Sequence, residues 1–245
     1  MTVRICLWSG PRNISTATMR SFEARGDCDV WDEPFYGYYL EQTGLEHPAR
    51  EETLAAWPTD SAAISAACEG PAPSGATEFF QKHMCQHMLP GLDLGWTKAC
   101  RHIFLIRDPA DVAASFHATM NSVTPEDLGA QRQLSLFEDI AAVTDRDDWP
   151  VIEGVDVLSN PEAMLSKVCA AIDIPFRARM LSWPAGRRAS DGPWAPHWYE
   201  RVEASTGFAS PRQSPHPVPD GLDEIVQACR PAYLALRARK LKPAA

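Results

Sequence analysis

The first stretch with chemistry in it is Gly10-Pro11-Arg12-Asn13-Ile14-Ser15-Thr16. Val3, Ile5 and Leu7 ahead of it make a buried strand, Gly10-Pro11 forces a turn, and Ile14, Met19 and Phe22 give the following segment a helical apolar stripe. A strand, loop and helix in this order aim unpaired backbone N–H groups and the positive end of the helix dipole at one point. Arg12, Asn13, Ser15 and Thr16 add donors there, so the stretch predicts an anion site. The plainer alternative is a turn that binds nothing. The Walker pattern Gly-x-x-x-x-Gly-Lys-Ser/Thr fails, because Ser15 and Thr16 stand where its second Gly and its Lys belong.

A second group closes the apolar run His102-Ile103-Phe104-Leu105-Ile106. Asp108 is a natural N-cap, Pro109 suits the first helical position and Asp111 completes a capping-box-like pair, which sets Arg107 at a strand tip beside a helix start. Ser115 shares a helix face with Asp108 and Asp111. The alternative is an Arg107–Asp111 pair with Ser115 as packing. A third group is Lys82-His83, where the strand-like Thr77–Lys82 gives way to His83-Met84-Cys85-Gln86-His87. Open α/β sheets hold ligands at strand ends, so His83 is the candidate base, His87 its competitor, and Lys82 the cation that steadies developing charge. Core or helix-surface histidines are the alternative. Cys85 with His83 and His87 is the one cluster of metal-ligand types, and it lacks a fourth ligand at a recognisable spacing; no metal is expected. Phe35, Tyr36, Tyr38 and Tyr39 either line an apolar pocket or pack a helix on the core.

The elements that must position these groups follow from length and pattern. At 245 residues the chain predicts one α/β domain over 1–245, with two small domains as the alternative. Its 23 basic and 32 acidic residues give a net charge of −9, which argues against a nucleic-acid or anionic-membrane surface, so an anionic ligand needs a local basic pocket. With no charged leader, signal core or run of ~20 apolar residues, the expectation is a soluble cytoplasmic protein. The seven scattered cysteines form no C-x-x-C pair and read as reduced core residues. Helices are expected at 14–25, 61–68, 126–144, 161–172 and 222–240, and strands at 27–32 and 151–157. The segment 182–221 carries Trp183, Trp194 and Trp198, Gly186-Arg187-Arg188, and Pro211, Pro215, Pro217 and Pro219. It reads as an irregular lid.

Taken together, these groups resemble the sulfotransferases that use 3′-phosphoadenosine 5′-phosphosulfate (PAPS). Pro11-Arg12-Asn13-Ile14-Ser15-Thr16 matches the family's Pro-Lys/Arg-Ser-Gly-Thr-Thr loop at Pro, the cation and both hydroxyls, and departs at Asn13 and Ile14. Arg107-Asp108-Pro109-Ala110-Asp111-Val112-Ala113-Ala114-Ser115 closely fits the family's Arg-x-Pro-x-Asp-x-x-x-Ser, the most specific match in the chain. Asn160-Pro161-Glu162 through Ile172-Asp173-Ile174-Pro175-Phe176 is similar to the family's scaffold helix and its stop. Lys82-His83 lacks the spacer of the family's Lys-x-His, and Gly186-Arg187-Arg188 only loosely resembles its Arg-Lys-Gly segment.

The resemblance implies a three-layer α/β fold of the P-loop nucleotide-binding type, with a mostly parallel sheet and helices on both faces. It implies sulfuryl transfer from PAPS to a hydroxyl or amine of a small acceptor, with His83 as base, Arg12 and Lys82 steadying charge and no metal. Pro11, Arg12, Asn13, Ile14, Ser15 and Thr16 would hold the 5′ end, and Arg107, Ser115, Arg187 and Arg188 the 3′-phosphate, with Phe35, Tyr36 and Tyr39 around the acceptor. The product would be adenosine 3′,5′-bisphosphate. Two rivals stay open. One is a degenerate P-loop kinase or NTPase, in which Asp32 or Glu33 would serve the metal; the other is a bisphosphate binder without a base.

Overall fold

The computed structural model describes residues 2–117, 123–211, 217–218 and 220–242; Pro215 and Pro219 of the irregular segment lie outside them. Five strands, Val3–Ser9 (β1), Cys28–Asp32 (β2), Glu78–Met84 (β3), Cys100–Ile106 (β4) and Val151–Glu153 (β5), form one sheet in the order β2-β3-β1-β4-β5. Every pairing is parallel. All strand C-termini therefore share one edge. A parallel sheet is covered on both faces, and β1 shows it: Ile5, Cys6, Leu7 and Trp8 are each 0% exposed.

Alternation along β1 divides the core into two layers. Ile5 and Leu7 pack against Met19 and Phe22 of the helix Ser15–Glu23 and against Leu165 and Val168 of the helix Pro161–Ala171. Cys6 and Trp8 face the other way, in one cluster with Ile64 of the helix Ser61–Glu69, Phe137 of Ala130–Thr144 and Leu236 of Asp223–Arg237. This is the expected three-layer arrangement, with the sheet parallel throughout. All seven cysteines are buried and free. Among the described residues no helix is long and apolar enough to cross a membrane.

Several boundaries differ from the sequence expectation, three of them with consequences for the fold. The polar helix expected over 126–144 is two helices, Pro125–Leu128 and Ala130–Thr144, because Gly129 sits at φ 70 as the cap of the first. The strand expected over 151–157 stops at Glu153 and becomes the helix Gly154–Ser159. The third strand runs on to Met84, so Lys82 and His83 lie inside it rather than at its end.

The irregular segment is docked through its middle. Trp183 and Trp194 are buried, and Asp191 makes a 2.5 Å ion pair with Arg20, whose side chain is 1% exposed. That pair fixes the segment to the helix Ser15–Glu23.

Candidate active site

The connections after β1 and β4 leave toward opposite ends of the sheet, and the crevice between such strands is where open α/β sheets bind ligands. A cleft lined by Gly10, Pro11, Asn13, Arg107, Pro109 and Val112 opens there. Arg12 has φ 53, a left-handed conformation uncommon for a residue with a Cβ, and this bend turns the loop into the helix beginning at Ser15. Asn13 holds the bend. Its Oδ1 accepts from Ile14 N at 2.9 Å, and its Nδ2 donates to the Leu105 carbonyl at 3.2 Å. Asn13 thus provides by hydrogen bonding the local shape that a loop glycine provides by freedom. Beyond it, the N–H groups of Ser15, Thr16 and Ala17 have no acceptor within the helix.

Arg12, Arg107 and Ser115 meet. The Arg107 guanidinium donates to the carbonyl of Arg12, and Arg12 Nε donates to Ser115 Oγ at 3.0 Å. The Arg12 guanidinium also lies 5.7 Å from the ring centre of Trp198. Burial, and then the nearby charge of Arg201, lower its pKa. Arg201 is therefore the C-terminal cation felt by Arg12. Arg187 is exposed, and Arg188 reaches back to Glu23 at 3.4 Å and to the Pro184 carbonyl.

Lys82 and His83 are successive residues of a strand, so their side chains point to opposite faces of the sheet. His83 is 1% exposed and stacks on Trp8 with ring centres 4.4 Å apart. Burial, then the neighbouring His102, push its pKa down to about 3, so it is a neutral core histidine at physiological pH. His87, 7% exposed, stacks on Tyr36 at 4.4 Å, and burial holds it well below the ordinary histidine value. Of the expected pocket residues, Phe35 is buried against Trp96 and His83, Tyr36 is buried with its hydroxyl 2.9 Å from His47 Nδ1, and Tyr39 is half-buried beside His47 and His87.

Lys82 points the other way, into a buried polar cluster. Its Nζ lies 2.7 Å from Asp32 Oδ1 and 2.8 Å from Glu33 Oε1, and it donates to Tyr199 OH at 2.5 Å and to Thr16 Oγ1 at 3.2 Å. Burial alone would lower its pKa, but Asp32 and Glu33 carry it well above the ordinary lysine value. Glu33 follows β2 directly, is 8% exposed, and has φ 45 ahead of Pro34, a strained backbone of the kind that clusters at functional sites. Its carboxyl is pushed up to about 7, by burial first and by Asp32, with Lys82 opposing. A carboxylate poised at neutrality, linked through Lys82 to Thr16 in the first turn of the helix after β1, suits a general base. Sequence reasoning passed over it as a base. The available signal was Asp32-Glu33-Pro34 ending a strand whose parallel partner carries the lysine.

The sequence profile of the sulfotransferase domain matches residues 3–240. Two Arabidopsis thaliana proteins, the branched-chain-amino-acid aminotransferase-like proteins 2 and 1, are 35% identical over 232 residues and 33% identical over 233. Each alignment covers 94% of this chain but only 40% and 41% of the relative, so the chain spans about two fifths of their length. Among solved structures, a sulfotransferase from Alicyclobacillus acidocaldarius superposes with a TM-score of 0.56 at 12% identity, covering 97% of this chain and 95% of its own. The sulfotransferase domain of the Synechococcus olefin synthase gives 0.51 at 14% identity, covering 96% of each. These two share the fold. With the profile spanning nearly its whole length, the chain belongs to the sulfotransferase domain family.

Proposed function

We propose that this protein transfers the sulfuryl group of PAPS to a hydroxyl or amine of a small-molecule acceptor, with Glu33 rather than His83 as base. The observation that carries the reading is the meeting of Arg12, Arg107 and Ser115 at the tips of β1 and β4, beside an open helix N-terminus. Arg12 and Arg201 are like charges close enough to disfavour one another, and a multiply charged anion between them relieves that repulsion. The donor set of guanidinium groups, hydroxyls and backbone N–H fits phosphate and sulfate oxygens.

PAPS supplies the activated sulfuryl group. The chain's residues then act as follows. Glu33 takes the proton of the acceptor as the acceptor's electron pair forms the new bond to sulfur. The sulfur–oxygen bond to the nucleotide breaks, and its electron pair leaves with adenosine 3′,5′-bisphosphate. Arg12 and the N–H groups of Ser15 and Thr16 offset the charge that develops on that leaving phosphate. Asp32, one of the two residues that could serve Mg²⁺ in an NTPase, is held by Lys82 on one oxygen and Tyr199 on the other, and this favours the transferase over the kinase reading.

A melting experiment with adenosine 3′,5′-bisphosphate against ATP-Mg tests the reading. At 100 times its dissociation constant the bisphosphate adds about 2.7 kcal/mol, a rise of roughly 5–10 °C for a chain of this size. A shift with ATP-Mg and none with the bisphosphate would overturn it.

A further inference from the structure

Tyr199 takes no part in the chemistry above, yet it is 5% exposed and its hydroxyl is saturated. The hydroxyl donates to Asp32 Oδ2 at 2.7 Å and accepts from Lys82 Nζ at 2.5 Å and from Trp194 Nε1 at 3.1 Å. A phenol has one proton and two lone pairs, so its whole capacity is used. Lys82 meanwhile shares three protons among four acceptors: Asp32, Glu33, Tyr199 and Thr16. The titratable and charged groups around Glu33 are Asp32 beside it, Lys82 from β3, Tyr199 from the C-terminal segment, Tyr36 from the helix Tyr36–Thr43 and His87 from the turn after β3. Lys82 is the one cation among these five, since His87 is held neutral. Where its ammonium sits decides how well the Glu33 carboxylate is supported.

We infer that Tyr199 is a positioning residue for Glu33: by occupying Asp32 and Lys82 together, it keeps the ammonium shared between the two carboxylates. This rests on the assignment of Glu33 as base. Without the hydroxyl, Asp32 Oδ2 keeps only the Gly192 N–H, at 3.4 Å. Asp32 then draws the ammonium toward itself and away from Glu33, and the charged form of Glu33 loses support. The same residue makes docking of the C-terminal segment a condition for a working base. Trp194 belongs to that segment, and its ring packs against Tyr36 and Trp57 with ring centres 4.8 and 5.0 Å away.

The test reads the Glu33 carboxyl directly, by ¹³C NMR of carboxyl-labelled glutamate with Glu33→Gln as the assignment control, so it needs no acceptor. In Tyr199→Phe the Glu33 midpoint moves up by about one pH unit, while the dissociation constant for adenosine 3′,5′-bisphosphate stays within about twofold. In Tyr199→3-fluorotyrosine, a stronger donor of nearly the same shape, the midpoint moves down; this arm stands even if the phenylalanine variant does not fold. A midpoint that ignores both changes overturns the inference and leaves the base assignment in place. A wild-type midpoint in the ordinary carboxylate range, about 4.3, overturns the base assignment and this inference with it.

Discussion

Replacing Glu33 by Gln removes one proton acceptor while keeping an oxygen for Lys82, whose Nζ lies 2.8 Å from Glu33 Oε1. The wild-type carboxyl is pushed up to about 7, so about nine-tenths of it is ionised at pH 8 and about one-tenth at pH 6. The transfer rate of the wild type should therefore fall about tenfold from pH 8 to pH 6. A positioned base typically contributes 10²–10⁴-fold, or about 2.7–5.5 kcal/mol of barrier, so Glu33→Gln should lose that much at pH 8 and keep only a flat pH profile. Glu33→Asp retains the chemistry but withdraws the carboxylate by about 1 Å, and a misplacement of that size costs about 10²-fold. The assay is single-turnover transfer of radiolabelled sulfate from PAPS to a panel of alcohols, phenols, sugars and amines, with bisphosphate affinity measured alongside. Affinity should hold within a few-fold, because none of the donors at the anion loop is touched. A Glu33→Gln enzyme that transfers at the wild-type rate with its acid limb intact would refute the reasoning and return the role to His87 or another group.

Two further outcomes concern stability. Burial holds His83 and His102 neutral, each with its pKa down to about 3, so the unfolded chain binds their protons first. Their stabilisation is complete above the ordinary histidine value and is lost as pH falls from about 6.5 toward 3. At pH 5 each has lost about 2 kcal/mol; urea midpoints at pH 7.5 and 5 should show it, and His102→Gln should remove its own share of the slope while those of His83 and His87 remain, whereas an unchanged slope would count against a buried neutral ring. Asp191→Ala leaves the Arg20 guanidinium buried with only Glu23 at 3.6 Å, which should cost about 3–5 kcal/mol and roughly 10 °C of melting temperature; a loss under about 1 kcal/mol would show that the pair does not hold the C-terminal segment.

The sheet was largely legible because each strand carries an apolar run bounded by Gly, Pro or a charge; β4 and the helix after Asn160 need nothing beyond such local signals. Arg12, Arg107 and Ser115 were legible for a related reason, since each sits next to the end of an element or one face of a helix. The base was not. His83 looked attractive because a histidine after a lysine suits acid–base chemistry, but the strand continues two residues further and turns that ring into the core against Trp8. Glu33 acquires its character from burial first, and then from Asp32, Lys82 and Tyr199, the last of them far away along the chain. No local pattern reports such an environment. Arg187-Arg188 stands out in sequence, whereas Arg201 is brought into electrostatic reach of Arg12 only by the fold.

The contact between Lys82 and Tyr199 spans 117 residues, and this sets when the lysine's buried shell can close. At ~5–20 residues per second on the ribosome, the lysine waits ~6–23 s for the phenol that completes its shell. Until then the nascent chain can pair its strands and coil the helix after the anion loop, but it carries an unfinished ionic knot at the sheet edge. Any truncation upstream of Tyr199 leaves the molecule in that unfinished condition.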